Sequence, residues 1–301
     1  EGSSSKGRRI VGQAAGRRRK ERAVKTVAIA GATGGIGQAL ARVYAGEDSR
    51  LLLAGRRLDV LTDQKRLLER MGATVEIDAF DMRDTEAVVR WCQKAVSLNA
   101  TRVILAAGVS ASVEPALGRD GAVAYYLPEA MTDLERELSV NAVGNVLACN
   151  AFVRELMKSC PRGVAGERVQ IALVASLAAL TGMPGSPGYS ASKATLRVYA
   201  EALRRLTLGK NIGVTVLFPG FIESDMSRRY QGAKPWLMTA EEGARKMKRA
   251  IEAGKSEYAF PKILAIGISL LNLLPEWLQP LFLKGFFFTV QPDHESKTSR
   301  R

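Results

Sequence analysis

Tyr189 and Lys193, in the stretch GYSASKA at residues 188–194, have the types and spacing of an acid–base pair. On a helix, residues four apart project from one face, so a phenol and an ammonium group would lie close together. A neighbouring positive charge lowers the pKa of a phenol and makes its proton available for transfer. The same spacing also occurs on the ordinary polar face of a surface helix, so the pair alone does not establish the chemistry.

Ser176 lies thirteen residues before Tyr189, at the end of the apolar run VQIALVAS. The carboxyl ends of strands are where open α/β sheets place their ligands, so a serine at this point is well placed for a site.

Six short aliphatic runs predict the strands that must position these residues. They are rich in Val, Ile and Leu without polar alternation, as expected for strands covered on both faces. They are TVAIAG (26–31), RLLLAG (50–55), TVEIDAFD (74–81), RVILAAG (102–108), VQIALVAS (169–176) and VTVLFPG (214–220). Helical patterns lie between them, as at 37–47, 58–72 and 193–207. Repeated β-α units predict an α/β fold: a single Rossmann-like, doubly wound parallel sheet with helices on both faces.

The turn after the first predicted strand is rich in glycine and indicates a phosphate-binding loop. Gly31, Gly35 and Gly37 in GATGGIG follow the pattern G-x-x-x-G-x-G. Gly31 permits a tight turn, Gly35 lets the backbone approach a pyrophosphate, and Gly37 allows close packing of the helix on the sheet. The N-terminus of that helix offers free N–H groups to the phosphates.

The end of the second predicted strand favours NADP(H) over NAD(H). Gly55 is followed there by Arg56 and Arg57, and no carboxylate occurs before Asp59. NAD-specific folds usually carry an acidic residue at this point, whereas a guanidinium binds a 2′-phosphate bidentately. Asp81, at the end of the third predicted strand, is expected to hydrogen-bond the adenine.

Several other kinds of chemistry are excluded by the residue inventory. The chain of 301 residues has one histidine, His294, which lies near the C-terminus, and three cysteines without metal-ligand spacing, Cys92, Cys149 and Cys160. We therefore expect no metal site and no Ser-His-Asp or Cys-His catalytic machinery. Scattered cysteines without a disulfide framework predict an intracellular, reducing compartment.

The spacing Ser-x12-Tyr-x3-Lys, together with the glycine loop, resembles the short-chain dehydrogenase/reductase family. The resemblance covers roughly residues 26–260. Its matching segments are GATGGIG, DMRD, AAG (106–108), VNAVG (140–144), Ser176, YSASK (189–193) and PGFIESDM (219–226).

The resemblance implies a role for each residue of a catalytic group. Tyr189 would be the general acid/base, and Lys193 would lower the pKa of its phenol and hold the nicotinamide ribose. Ser176 would hydrogen-bond the substrate oxygen. Asn141 would support the water chain that resupplies protons through Lys193.

The resemblance also implies the residues that contact the cofactor. Pro219, Gly220 and Ile222 would border the nicotinamide, with Ser224 near its carboxamide. The other expected contacts are Gly31, Thr33, Gly34, Gly35, Ile36, Gly37, Arg56, Arg57, Asp81, Met82, Ala107, Gly108, Tyr189 and Lys193. Two departures from the family pattern are Ala30 in place of Thr and LAAG (105–108) in place of Asn-Asn-Ala-Gly. The loss of the asparagine affects local packing more than chemistry.

Residues 262–290 form the most apolar part of the chain and predict a hydrophobic C-terminal helical extension. Pro275 and Glu276 interrupt it, so a membrane-spanning helix is not expected. Four interpretations remain: a peripheral membrane anchor, a lid over the substrate cleft, an oligomer interface and a helix pair docked on the core. The apolarity of 263–274, Trp277 and the Phe286–Phe288 cluster beside Lys284 favour contact with lipid at a cytoplasmic membrane face.

The predicted domain organisation has four parts. They are a basic, disordered arm (1–24), the catalytic domain (25–260), the hydrophobic segment (261–290) and a polar tail (291–301). Residues 1–25 carry nine Lys and Arg residues against two acidic ones, a net +7 of the chain's +14. Contact with anionic lipid or organelle targeting would explain this arm, whereas nucleic-acid binding is not expected because no recognition motif follows.

The leading functional hypothesis is an NADPH-dependent reductase of an apolar, lipid-like ketone or aldehyde. One alternative is an NADP-dependent dehydrogenase of a steroid, retinoid or sugar-lipid alcohol, and another is a nucleotide-sensing interaction protein without turnover. A hydrophobic extension in a reductase resembles the branch that includes 3-ketosphinganine reductases. Residues 109–130, which should line the substrate pocket, are expected to form a long loop. The oligomeric state is left open, with a homo-oligomer as one option.

Overall fold

Seven parallel strands form the central sheet of the computed structural model, which describes residues 24–119, 122–160, 164, 166–283 and 289–291. The strands of the described chain are β1 (Lys25–Ala30), β2 (Ser49–Gly55), β3 (Thr74–Ala79), β4 (Ala100–Leu105), β5 (Glu114–Leu117), β6 (Val123–Leu127), β7 (Val169–Val174), β8 (Ile212–Pro219), β9 (Tyr230–Gln231), β10 (Glu257–Phe260) and β11 (Thr289–Val290). The order across the central sheet is β10, β8, β7, β4, β1, β2, β3. The predicted doubly wound, Rossmann-like fold is confirmed.

Helices connect the strands and cover both faces of the sheet. They are α1 (Gly35–Tyr44), α2 (Leu58–Arg70), α3 (Thr85–Ser97), α4 (Met131–Glu137), α5 (Asn145–Ser159), α6 (Pro187–Leu206), α7 (Asp225–Arg229), α8 (Ala240–Glu252), α9 (Lys262–Leu271) and α10 (Gln279–Leu283). A π-helix, Leu138–Gly144, joins α4 directly to α5, and a 3₁₀ turn, Leu177–Ala179, follows β7.

The aliphatic runs of the strands divide between two hydrophobic clusters, one on each face of the sheet. In β1, Ala28 and Ala30 pack with residues of α3, α5 and α6, whereas Val27 and Ile29 pack with residues of α1, α2 and α8. This alternation follows from the two-residue period of a strand. It explains why the sequence shows continuous apolar runs: both faces of each strand are buried.

The strand order changes direction between β1 and β4, and this opens a crevice at the carboxyl ends of the strands. The chain leaves β1 toward β2 on one side, while β4 pairs with β1 on the other. The connections that follow these two strands therefore diverge, which is the usual place for a ligand in such sheets. The glycine loop and the segment after β4 both lie at this edge.

Two elements differ from the sequence prediction. Strand β10 extends the sheet beside β8, although its sequence, EYAF, is too short and too polar to resemble a buried strand. Residues 109–130, expected to form a loop, contain the antiparallel hairpin β5–β6. The side chains of β6 are all exposed, so the segment lacks the apolar alternation that would have identified it.

The C-terminal segment contains the helices α9 and α10. Asn272, at the end of α9, donates a hydrogen bond from Nδ2 to the backbone oxygen of Leu180, at 2.7 Å, and so fixes the helix beside the 3₁₀ turn. Strand β11 pairs with β9, next to α7. Nearly all of the predicted arm and of the polar tail lies outside the described residues, as do Lys284 and the Phe286–Phe288 cluster.

Candidate active site

The glycine loop between β1 and α1 depends on its missing side chains. Gly31 has a φ of +79°, and a Cβ there would lie 2.4 Å from the backbone nitrogen of Ala107. A Cβ on Gly37 would lie 2.2 Å from the carbonyl oxygen of Gly31. Both distances are far below van der Waals contact, so only glycine allows the turn and the close approach of α1.

The N-terminus of α1 has the features of a phosphate site. Its N-cap residue is Gly34, which has no side chain to cap the helix, and the first turn contains no acidic residue. The backbone N–H groups therefore keep their capacity to bind an anion, and the helix dipole adds to the attraction. These residues fit the pyrophosphate of a dinucleotide.

A cavity of about 1180 Å³ lies at the carboxyl ends of the strands. It brings together Ser176, Tyr189 and Lys193 with every residue expected to contact the cofactor: Gly31, Thr33, Gly34, Gly35, Ile36, Gly37, Arg56, Arg57, Asp81, Met82, Ala107, Gly108, Pro219, Gly220, Ile222 and Ser224. Asn141 is not part of its lining and lies behind Gly108 and Val109.

Helix α6 positions both members of the acid–base pair. Proline at its first position starts the helix at Pro187, and Tyr189 and Lys193 follow on successive turns. Nζ of Lys193 lies 5.7 Å from the centre of the Tyr189 ring and donates a hydrogen bond to the carbonyl oxygen of Val174 at 3.0 Å. The ammonium group is thus fixed at the end of β7, beside the phenol.

Ser176 connects β7 to the pair. It is the N-cap of the 3₁₀ turn, where its Oγ accepts a hydrogen bond from the backbone of Ala178 at 3.2 Å. A hydrogen bond between Ser176 and Tyr189 is one of the influences on the phenol. The serine and tyrosine hydroxyls therefore lie close together on the wall of the cavity.

Burial dominates the proton affinities of the pair. Tyr189 is half-buried in the cavity wall, and burial raises the pKa of the phenol to about 12, although the hydrogen bond with Ser176 acts in the opposite direction. The family resemblance implies that Lys193 lowers this pKa, but in the structure the pKa is raised, with burial as the largest cause. Burial also lowers the pKa of Lys193 to about 8. Near neutral pH the pair therefore consists of a phenol, able to donate its proton, and a largely protonated ammonium group.

Asn141 holds the segment that follows β4. Its Oδ1 accepts from the backbone nitrogen of Val109 at 2.8 Å, and its Nδ2 donates to the carbonyl oxygen of the same residue at 2.9 Å. A Cβ on Gly108 would lie 3.1 Å from Nζ of Lys193 and 3.3 Å from Oδ1 of Asn141. Gly108 thus leaves room for the two polar groups to approach each other.

Asn145 and Arg83 also contribute to the site and were not predicted from the sequence. Nδ2 of Asn145 donates to the backbone oxygens of Ala107, Val140 and Asn141 at 3.0–3.1 Å, which joins the π-helix to the strand end. Asn145 follows Asn141 by four residues, and this spacing was the feature of the sequence that could have identified it. Arg83 binds the Asp81 carboxylate bidentately at 2.8 and 3.0 Å, and lies two residues after it in DMRD.

The end of β2 carries a positive cluster that faces the cavity. Burial raises the pKa of the Asp81 carboxyl, but the hydrogen bonds and charge of Arg83 and the charge of Arg56 outweigh this and hold it below its ordinary value. Arg56 lies 3.8 Å from Asp81, and Arg57 donates to the backbone oxygen of Thr33. Two guanidinium groups, those of Arg83 and Arg56, thus lie beside the Asp81 carboxylate, and with Arg57 they give this end of the cavity a net positive charge.

The cavity continues from Ser176 toward an apolar wall formed by the C-terminal segment. Its residues there are Ile263, Leu264, Gly267, Ile268, Leu270, Leu271, Leu274 and Phe282. The outer side of the same segment exposes Ile266, Leu273 and Trp277, the last at 75%. Among the described helices, none has the length and apolarity needed to cross a membrane.

Comparison with known proteins identifies the family. The sequence profile described as short chain dehydrogenase matches residues 25–234. The chain belongs to the short-chain dehydrogenase/reductase family. It is therefore an oxidoreductase of a family that uses a nicotinamide cofactor, and the cavity fits such a dinucleotide.

Relatives and solved structures agree with this assignment. A 3-dehydrosphinganine reductase of Arabidopsis thaliana is 33% identical over 238 residues, which are 75% of this chain and 68% of the relative. An uncharacterized oxidoreductase of Myxococcus xanthus is 29% identical over 87% of this chain and 96% of its own length. An actinorhodin polyketide ketoreductase, solved with NADPH, shares the fold with a TM-score of 0.65 at 18% identity, over 80% of this chain and 97% of its own.

Proposed function

We propose that this short-chain dehydrogenase/reductase is an NADPH-dependent reductase of ketones or aldehydes with an apolar chain. The observation that carries the proposal is the continuity of one cavity, which joins Tyr189, Lys193 and Ser176 to the apolar wall of α9. The reacting carbonyl group would lie at the end of the cavity that holds Tyr189, and the hydrocarbon chain would lie against α9.

In this mechanism, the chain's own residues orient the carbonyl and supply its proton. Ser176 and Tyr189 donate hydrogen bonds to the carbonyl oxygen. NADPH, when bound, supplies the hydride to the carbonyl carbon. Tyr189 transfers its proton to the oxygen, so the carbonyl becomes an alcohol and the phenol becomes a phenolate. The ammonium group of Lys193 stabilises the negative charge that forms beside it.

The choice of NADPH rests on the positive cluster at the end of β2. Arg56 and Arg57 line the cavity, where an NAD-binding site would usually present a carboxylate to the ribose. A Cβ on Gly55 would lie 2.7 Å from Cγ2 of Thr33, so the strand end has no room for a larger residue. A 2′-phosphate near these guanidinium groups would gain charge-assisted hydrogen bonds.

The choice of an apolar substrate rests on the C-terminal segment. Leu264, Ile268 and Leu271 face the cavity from successive turns of α9, and together they can bury a hydrocarbon chain. Each methylene group buried against such a wall is worth about 0.8 kcal/mol. The relative named 3-dehydrosphinganine reductase supports reduction of a ketone as the reaction class.

We further propose that the outer side of this segment contacts a membrane surface. Ile266, Leu273 and Trp277 project from α9 and the turn after it, and Lys262 begins the helix. Apolar side chains with a tryptophan and a basic residue are typical of helices that lie in the interface of a bilayer. Such contact would place the apolar end of the cavity next to a lipid-soluble substrate.

The test is oxidation of NADPH in the presence of a panel of ketones that differ in chain length, with 3-dehydrosphinganine included. We expect turnover that increases with chain length and falls about 10²–10⁴-fold in Tyr189→Phe, which removes only the acidic hydroxyl. Equal rates in wild type and Tyr189→Phe would refute catalysis by this site. Alcohols are tested in the reverse direction, by reduction of NADP⁺. Binding of NADPH without turnover of any ketone or alcohol would favour the nucleotide-sensing alternative, and turnover of alcohols alone would favour the dehydrogenase.

A further inference from the structure

A group of buried acidic residues lies beside the acid–base pair and has no part in the mechanism above. Glu129 precedes α4, and Asp133 and Glu137 belong to it. All three are buried, and Glu137 is completely enclosed. Burial of a carboxylate without a compensating partner costs free energy of folding. A cluster of buried carboxyl groups at an active site is therefore a candidate for a functional role.

Glu137 has one occupied and one unoccupied oxygen. Its Oε1 accepts a hydrogen bond from the backbone nitrogen of Ala111 at 2.6 Å. Its Oε2 is buried and has no hydrogen-bond partner among the described residues. A Cβ placed on Gly188 would lie only 2.8 Å from this Oε2, so the carboxyl group reaches the first turn of α6, next to Tyr189.

The neighbours of Glu137 give it an unusual proton affinity. Burial raises the pKa of its carboxyl to about 7; the charges of Glu129 and Asp133 act in the same direction, and the hydrogen bond from Ala111 and the charge of Arg136 oppose it. Asp133 and Arg136 form an ion pair at 3.1 Å. From α6, Tyr189 and Lys193 are the titratable groups that respond to Glu137, and its negative charge raises the pKa of each.

We propose that Glu137 is a positioning residue whose charge keeps Tyr189 in its phenol form and Lys193 in its ammonium form. This inference rests on the role of Tyr189 proposed above. A negative charge next to the first turn of α6 opposes a second negative charge on the phenolate and favours the ammonium. The consequence is a tyrosine that stays protonated to higher pH, which suits an enzyme that reduces carbonyls.

The variant Glu137→Gln separates this role from a structural one. The amide oxygen can still accept from Ala111, whereas the charge is lost. We expect the alkaline limb of the pH profile for ketone reduction to move about one unit lower, which is about tenfold in rate at a fixed pH on that limb. A smaller inflection near pH 7, due to Glu137 itself, should disappear.

Glu129→Gln is the matched control. Glu129 is also buried and accepts from the backbone nitrogen of Gly188 at 2.9 Å, but its charge acts on Glu137 and not on Tyr189. We expect its alkaline limb to stay unchanged and the inflection near pH 7 to move to lower pH. An unshifted alkaline limb in folded Glu137→Gln would overturn the proposal. If Glu137→Gln does not fold, an unchanged inflection in Glu129→Gln would overturn it.

A second measurement does not depend on turnover. Tyrosinate absorbance, titrated with NADP⁺ bound and corrected by the Tyr189→Phe protein, reports the ionisation of Tyr189 directly. We expect it at lower pH in Glu137→Gln than in wild type. The same midpoint in both proteins would refute the role of Glu137, whereas a shifted midpoint in a protein that reduces no ketone would count only against the proposed function.

Discussion

A side chain placed at Gly267 should shorten the ketones that the enzyme accepts. Gly267 lines the apolar end of the cavity from the middle of α9, and a Cβ built there meets nothing within 4 Å. The Cβ of Gly267→Phe therefore meets no clash, and its ring extends from this open position. The ring should occupy volume that the substrate chain would otherwise fill.

The magnitude follows from the hydrocarbon displaced. A phenyl ring that excludes three methylene groups removes about 0.8 kcal/mol for each, or about 2.4 kcal/mol in all. Since 1.4 kcal/mol corresponds to a factor of ten, kcat/KM for a long-chain ketone should fall about 50-fold. A short ketone that does not reach α9 should lose little.

The assay compares kcat/KM for a short and a long methyl ketone in the same protein, and the decisive quantity is the ratio. Ile266→Phe is the control for bulk, because Ile266 is the neighbouring residue, is 59% exposed and does not line the cavity. Gly267→Ala should change the ratio little and should stabilise the fold by about 0.5–1 kcal/mol, because glycine is unfavourable within a helix. An unchanged ratio in folded Gly267→Phe would refute the position assigned to the substrate chain.

Three further predictions concern the cofactor, the membrane and pH. Arg56→Ala should reduce the preference for NADPH over NADH by about 10- to 100-fold, because charge-assisted hydrogen bonds to the 2′-phosphate are lost. The preference is measured as the ratio of the kcat/KM values for the two cofactors, and an intact ratio would contradict our assignment of the 2′-phosphate site. Trp277→Ala should weaken flotation with anionic vesicles. Leu208→Ala is the control, because Leu208 is 84% exposed in the turn between α6 and β8 and should not affect flotation. Equal flotation of the two variants would count against docking through α9. Glu137→Gln should raise the free energy of unfolding by up to about 3 kcal/mol at pH 8, measured by denaturant titration, since the raised pKa of Glu137 makes its ionisation on folding unfavourable above pH 7. This gain should shrink as the pH falls from 7 toward 4.5, and a pH-independent difference would argue against a titrating Glu137.

The parts of the fold that could be predicted are those in which local sequence determines burial. Strands such as β1 and β7 lie between two helical layers, so they appear as continuous apolar runs. Gly31 and Gly37 were recognisable because the turn and the helix contact impose glycine on the sequence itself.

The parts that could not be predicted depend on contacts between distant segments. Strand β10 is defined by its pairing with β8 and not by its own four residues. Glu137 reads as one more charge in the helical pattern LERELS, yet folding brings α6 and the segment after β4 against it. The raised pKa of Tyr189 has the same origin, since its desolvation comes from the walls of the assembled cavity.

The transfer of deuterium from the reactive face of labelled NADPH to a long-chain ketone tests the central claim most directly. Wild-type protein should yield the alcohol with one deuterium on the former carbonyl carbon, detected by mass spectrometry, and the Tyr189→Phe protein should yield about 10²–10⁴-fold less in the same time. Labelled alcohol formed equally by both proteins would contradict the role of Tyr189. Absence of labelled alcohol from every ketone, with NADPH bound, would contradict the reductase itself.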